Sequence, residues 1–571
     1  MAPTTAGRQG AAHQADLAAQ GSRHRSGSWY TPADVVERLL DITLEPLLDA
    51  RAGQGANAIS AIRVLDPACG DGAFVSAAGA RIARALERAG MEAAVAAHIA
   101  YGTTVVGIDV DPVAADLCRT ALAERNSDAG GPGASPHVLV ADALLMQPNV
   151  DDRGRLDARS TWDLLIGPAG IAPGGFDLVI GNPPFLTPLR SRTSAEESRR
   201  QALAERFGDA ASPLTDAAAL FFLLGAELAS PSGTVCFIEP LPFVAARDAA
   251  GVRAALLKLG SLSDLWDAQE QVFDAAVAVC APVVVRGADP EPVRLWTGRT
   301  LEATNHAAPP DRSGAPWSSL VAAARHVPVV HMTTAGTVED IATCTADFRD
   351  QYYGLVGAVE EADGDGDRHD GTSTPSDRPR LVTSGTIDPA RLLWGRRSIR
   401  FAGASYRYPV VNLDRLAPDM ADWAARRLVP KVLVATQTRM LEAVADPEGT
   451  LLPSVPVITV TTSTETLHRI AALVTSPPIA ALAAARHLGT GLGGKALRLR
   501  AADIAALPLP GDKTAWDDAA SSFEAAELSE QPHEARGLLI TSGIAMCSAY
   551  GIDDAGELLA WWITLLPPVR T

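Results

Sequence analysis

Phe176-Asp177-Leu178-Val179-Ile180-Gly181-Asn182-Pro183-Pro184-Phe185 is the stretch on which the reading of this chain turns. Its first six residues form an almost unbroken apolar run with β-branched members, the pattern of a short strand covered on both faces. Two consecutive prolines then end it, because neither can donate a ladder hydrogen bond and each steers its predecessor away from helix. The chain must leave the sheet as a stiff corner at the carboxyl end of a strand, where open α/β sheets place ligands.

Such a corner suits one chemical task. The exocyclic amino group of a nucleobase is a poor nucleophile, because its lone pair is spread into the ring, and it carries two N–H donors. The Asn182 carboxamide oxygen and the Pro183 carbonyl are two acceptors that could hold both hydrogens and turn the lone pair outward. Phe185 would lie beside them as a flat surface for the base. The plainer alternative is a proline-rich strand end with Asn as a turn former.

Working outward, Ile62–Asp66 reads as an earlier strand, followed by Pro67-Ala68-Cys69-Gly70-Asp71-Gly72-Ala73-Phe74. The glycines allow a tight turn and close backbone approach to a ligand. Phe74, Ala78, Ile82 and Leu86 then recur at helical spacing. Thr104–Asp109 is a second strand ending in an acid that could accept both hydroxyls of a ribose. His137–Val140 is a third, and Asp142 after it could accept from an adenine amino group. The first turn is not GxGxxG, which disfavours a nicotinamide cofactor. Gly233–Glu239, Leu262–Asp267 and Val277–Val285 complete seven strands alternating with helical stretches, which predicts an α/β fold: a seven-stranded, mostly parallel sheet with helices on both faces. Trp162–Pro168 nearly repeats the central strand without its Asn and is read as a loop or a strand without catalytic function. Arg190, Arg192, Arg199, Arg200 and Arg206 follow the corner among acids and read as a segment covering the site or as an exposed helix.

Near the amino terminus, Thr31 reads as a helix N-cap with Pro32 in the first turn of the helix that follows. Residues 1–27 lack periodicity and read as a disordered tail. Past residue 330 the sequence turns irregular and proline-rich; residues 360–379 read as a disordered acidic loop, and residues 511–571 as a helical segment.

The 571 residues carry 47% hydrophobic content and a net charge of −18. That length allows two to four domains. The charge is uneven: residues 378–439 hold twelve Lys/Arg against four Asp/Glu, a local +8 that leaves −26 elsewhere. With Trp394, Tyr406, Tyr408 and Trp423 among them, these arginines read as a nucleic-acid surface or as the solvated face of an ordinary domain. The six cysteines are scattered without a CxxC pair, so neither a metal site nor a disulfide framework is expected. No apolar run reaches membrane-spanning length and no secretory signal is visible, so the expected compartment is the cytoplasm, with no membrane partner.

Taken together, Tyr30-Thr31-Pro32, Asp66-Pro67-Ala68-Cys69-Gly70-Asp71-Gly72, Asp109, Asp142 and Asn182-Pro183-Pro184-Phe185 resemble the gamma class of DNA amino-methyltransferases, the TaqI-like N6-adenine enzymes of restriction-modification or phage defence. The likeness runs in the same order from about residue 28 to 510, weakly through Val429–Val434 and Ile504–Pro510. It implies a Rossmann-like S-adenosylmethionine (SAM) methyltransferase domain over 28–330, a mixed α+β target-recognition domain over 331–510, and double-stranded DNA as partner. Asn182, Pro183 and Pro184 would form the catalytic corner, with Phe185 and Phe273 stacking on a flipped adenine. Tyr30, Thr31, Asp66, Ala68, Cys69, Gly70, Gly72, Phe74, Asp109, Val110, Asp142, Ala143 and Pro184 would line the cofactor pocket. Asp71 stands where the family often has a small residue.

The implied reaction is methyl transfer to N6 of the adenine. The chain lacks the Pro-Cys dipeptide of cytosine-C5 methylases, and none of its four lysines lies two residues after an acid, so no nuclease activity is expected in it. A nuclease or defence-complex subunit would act in trans. Two other readings remain open: a ribosomal RNA or protein-glutamine N-methyltransferase, since NPPF-type corners also serve those planar amino groups, and a DNA-binding subunit of a larger defence complex.

Overall fold

The computed structural model describes residues 31–133, 135–145, 165, 170–185, 194–212, 214–273, 277–362, 378–491, 494 and 496–569. The 1–27 tail, Tyr30, Arg190, Arg192, most of the 162–168 repeat and residues 363–377 of the acidic loop lie outside them. The chain packs as two compact units, one reaching to Arg325 and the other beginning at His326, with a short return to the first around Gly494.

The first unit is built on one sheet. Its strands are β1 (Val64–Asp66), β2 (Val105–Asp109), β3 (His137–Val140), β4 (Phe176–Gly181), β5 (Ala229–Phe237), β6 (Glu239–Pro240), β7 (Gly260–Asp267), β8 (Val279–Arg286), β9 (Val293–Thr297) and β10 (Glu302–Ala307). The order is β10-β9-β7-β8-β5-β4-β1-β2-β3, with β6 beside β8. Pairing is parallel from β3 through β2, β1 and β4 to β5, and β7 is parallel to β9. Only β8 and β10 run against the rest. All seven expected strands are present, but the sheet has ten. Those missed are the two-residue β6 and the β9–β10 hairpin, whose last strand is too exposed to show apolar alternation.

The order reverses between β1 and β4, and this topological switch opens a crevice at their carboxyl ends. Val64 and Leu65 of β1 sit in register with Leu178 and Val179 of β4. The Asp66 turn and the Asn182 corner are therefore neighbours, although more than a hundred residues separate them in the chain.

Helices cover the sheet. Those that bear on the crevice are α1 (Ala33–Thr43), α2 (Ala73–Arg88), α3 (Pro112–Asp128), α4 (Ser194–Phe207) and α5 (Ala217–Leu228). In α2 the expected stripe of Phe74, Ala78, Ile82 and Leu86 is buried. From the same helix, buried Arg81 reaches α1: it donates to the Glu37 carbonyl at 2.7 Å and pairs with Asp41 at 2.8 Å and Glu45 at 3.1 Å. One guanidinium satisfied by several acceptors ties the later turns of α1 and the start of the next helix to α2.

The second unit holds an antiparallel four-stranded sheet, Thr343–Ala346, Ile458–Thr461, Lys431–Ala435 and Glu442–Asp446 in that order. A second sheet orders Val359–Glu361, Pro409–Val411, Arg380–Val382 and Leu451–Pro453. The helices Lys513–Leu528, Pro532–Ala549 and Gly556–Leu565 belong to the same unit. Trp516 donates to the Arg469 carbonyl at 2.8 Å and Ser542 to that of Ala519 at 2.8 Å. Among the described residues no single helix is long and apolar enough to cross a membrane.

Candidate active site at the switch point

β4 ends at Gly181, and the reason for a glycine is local. A Cβ there would lie 2.4 Å from Asp66 Oδ1, so only a bare α-carbon lets the Asp66 carboxyl sit beneath the corner. Asn182 follows, half-buried, with Pro183 buried behind it. Its side-chain Nδ2 donates to Thr31 Oγ1 at 3.0 Å. The structure corrects the N-cap expectation: α1 starts at Ala33 with Pro32, which has no side-chain acceptor, in the cap position, and the Thr31 hydroxyl bonds the corner instead.

Phe185 and Phe273 meet edge to face, their centroids 6.1 Å apart at 74°. Phe273 is buried, and its carbonyl accepts from Gln271 Nε2 at 2.8 Å within the β7–β8 connection. The corner thus carries one half-exposed aromatic ring backed by a fixed one.

Beside it, the turn after β1 gathers three carboxyls. Asp66 is 2% exposed, its Oδ1 accepting from Ala68 N at 3.0 Å. Burial, with Asp109 and Asp71 nearby, pushes it up to about 8 against the pull of the Ala68 bond. Burial also raises Asp71 and Asp109 above the usual carboxylate range. None of the three has an ion-pair partner among the described residues. Three raised acids without a cation make a site that a positively charged ligand would stabilise. The Asp71 carboxylate is stabilised by the Ala73 backbone N–H, so the unusual acid serves as a turn residue at the start of α2.

Asp109 accepts from Gly70 N at 2.9 Å and Asp111 N at 2.8 Å, one bond on each oxygen. The Val110 backbone N–H also acts on this carboxylate, which keeps lone-pair capacity for a ribose hydroxyl. Gly70 has φ +53, and a Cβ built on it would face open space. Val110 next to Asp109 is 69% exposed, an apolar platform at the rim. The acids, the open glycine and the apolar rim fit a cationic, ribose-bearing cofactor such as SAM.

Not every expected pocket residue faces that space. The side chains of Cys69, Phe74 and Ala143 are buried in the core, so only their backbones are free to line it. Gly72 is held for packing, since a Cβ there would lie 2.8 Å from Cys118 Sγ. Asp142 is met by Arg199 from α4: Nε donates to Oδ2 at 2.9 Å and Nη2 to Oδ1 at 3.3 Å. Sequence reading left that arginine as one of several in a basic segment, and no local pattern links residues 57 apart. Among the described residues no group of three or more His, Cys, Asp or Glu could hold a metal.

Residues 103–273 match the family model described as Eco57I restriction-modification methylase. The chain resembles a restriction-modification DNA methyltransferase. The matched span runs from the start of β2 to Phe273 and includes the Asn182 corner. No curated protein matches the sequence. Among solved structures, the type IIL restriction-modification enzyme MmeI in complex with DNA is 13% identical, covering 94% of this chain and 78% of that one at a TM-score of 0.60. A nuclease-deletion mutant of the type ISP restriction-modification enzyme LlaGI, in complex with a DNA substrate mimic, is 10% identical. It covers 88% of this chain but 47% of that one, at a TM-score of 0.51. At these identities the likeness is one of fold: a large, mostly parallel sheet with helices.

In the second unit part of the basic stretch is structural. Trp423 is buried and donates to Asp347 at 2.9 Å, and Arg427 pairs with the same carboxylate at 2.6 Å. Arg415 and Arg378 both pair with Glu360, and Arg380 lies 4.8 Å over the Trp394 ring. Arg396, Arg400, Arg426 and Arg439 stay exposed without an ion pair among the described residues. Arg397 and Arg400 line a cleft of ≈ 350 Å³ with Tyr352, Ser384 and Phe401.

Proposed function

We infer that the chain is a site-specific DNA adenine methyltransferase of the gamma type, acting on N6 of an adenine turned out of the duplex. The observation that carries this reading is the Asn182-Pro183 corner, oriented by Thr31 and set between the Phe185/Phe273 rings and the Asp66 turn. Asp66, Ala68, Gly70, Asp109 and Val110 would hold SAM, with Asp142 at its purine. When bound, SAM supplies an electrophilic methyl group on a sulfonium.

The chain's own groups prepare the acceptor. The Asn182 Oδ1 and the Pro183 carbonyl take the two N–H bonds of the amino group, which withdraws its lone pair from the ring and aims it. Phe185 offers a face for the extruded base, repaying part of the few kcal/mol that unstacking costs. No side chain is needed as a covalent nucleophile. The second unit would carry target recognition, and its exposed arginines would meet phosphates. A nuclease or defence partner would act in trans, in the cytoplasm.

Purified chain, SAM labelled in its methyl group and plasmid DNA test the reading. Label in adenine N6 that disappears in Asn182→Ala is expected. Label found in RNA or protein alone would overturn it.

A further inference from the structure

Asp142 stands at the carboxyl end of β3, and its carboxylate is nearly saturated. Oδ1 accepts from Leu144 N at 3.1 Å and from Arg199 Nη2 at 3.3 Å; Oδ2 accepts from Arg199 Nε at 2.9 Å. A carboxylate oxygen has two lone pairs. Among the described residues, one acceptor position therefore remains on this carboxylate, on Oδ2. The arginine comes from α4, the first helix after the corner among the described residues.

We propose that Arg199 is a positioning residue for the cofactor's purine: it fixes the plane of Asp142 so that its single open lobe receives one N–H of the adenine 6-amino group. This rests on the reading of Asp142 as the purine acceptor. An Asp carboxylate alone turns broadly about its last torsion. A two-pronged guanidinium removes that freedom before the ligand arrives, so less ordering is left for binding to supply. The arrangement is also selective. A purine with an oxo group at position 6 offers an acceptor to an acceptor, and a purine with hydrogen there leaves the lobe empty. Because the clamp is anchored on α4, purine recognition is also tied to the placement of that helix.

Equilibrium binding to the full-length protein tests this, using calorimetry with S-adenosylhomocysteine and its analogue lacking the 6-amino group. Arg199→Ala is expected to weaken S-adenosylhomocysteine about tenfold and to leave the desamino analogue unchanged. Arg199→Lys should recover part of the loss. In an Asp142→Asn background, Arg199→Ala should add nothing. Unchanged affinity in Arg199→Ala, tighter binding, or equal loss of both ligands would each overturn the proposal, the second showing that the arginine blocks the site. If the wild-type protein bound neither SAM nor S-adenosylhomocysteine, the methyltransferase reading itself would fall, and the role of Arg199 with it.

Discussion

Asn182 Nδ2 donates to Thr31 Oγ1 across 3.0 Å, joining the start of the first helix to the end of the central strand. The bond to Thr31 fixes which end of the carboxamide is the nitrogen and so where its oxygen lies. Thr31→Val keeps the shape and removes the acceptor, so the amide either turns over or loses a bond worth about 1–3 kcal/mol. The expected result is a single-turnover methylation rate lowered about 10- to 100-fold, with Thr31→Ser close to wild type. Rapid-quench assays at saturating SAM and DNA check this; an unimpaired valine variant would mean that something else orients Asn182.

The Phe185/Phe273 pair separates stacking from support. Phe185 is half-exposed, whereas Phe273 is buried behind it. Phe185→Ala should remove a base-stacking contribution of about 1–3 kcal/mol while leaving the melting temperature near wild type. Phe273→Ala should lower both, because it also opens a core cavity. If Phe185 acts on the extruded base, placing the target adenine in a mismatch should rescue part of the Phe185→Ala defect. Equal defects on matched and mismatched duplexes would refute that role.

Much of this site was legible because its signals are local. The β4 run, its two prolines and the glycine turn after β1 dictate backbone geometry by themselves, and the parallel order follows from strands alternating with helices. What stayed hidden depends on tertiary partners. Thr31 looked like a helix cap because cap chemistry is short-range, and nothing nearby signals that its hydroxyl serves a residue 151 positions away. Arg199 and Asp142 pair only once α4 is set beside the end of β3. The internal pairs of the basic stretch were hidden for a related reason: Arg427 and Trp423 share Asp347, which lies outside the stretch. The hairpin beyond β8 escaped because Glu302–Ala307 is a largely exposed edge, without the alternation that burial imposes.

Asp66 makes stability depend on pH. Its carboxyl is pushed up to about 8 in the folded protein, mainly by burial, and falls to about 3.9 when the chain unfolds. Between those values the folded state keeps a proton that the unfolded state has released, so this group makes stability decline as pH rises from about 4 to about 8, by about 1.4 kcal/mol per unit. Asp66→Asn retains an acceptor for Ala68 N and lacks the titration. The variant should therefore match wild type near pH 4 and exceed it in denaturant midpoint at pH 8 to 9. Saturating SAM should flatten the wild-type decline and leave the variant's curve unchanged. Parallel stability curves for the two proteins would refute the assignment.

In the second unit Lys431 and Asp446 form an ion pair in the core, their side chains 0% and 2% exposed on adjacent antiparallel strands. Lys431 also donates to the Val429 carbonyl at 3.2 Å, and Asp446 accepts from Thr450 N and Leu451 N at 3.0 Å each. Burial lowers the lysine while the facing carboxylate opposes that shift. Removing one partner strands the other charge away from water, which costs about 3–5 kcal/mol, whereas replacing both often costs far less. Lys431→Met should thus lower the thermal transition of the second unit sharply. Lys431→Met with Asp446→Asn should regain part of the loss, because the asparagine oxygen still accepts a backbone N–H without carrying charge. Scanning calorimetry of the intact protein measures both. A single variant within 1 kcal/mol of wild type would show that water reaches the pair and that the strands hold without it.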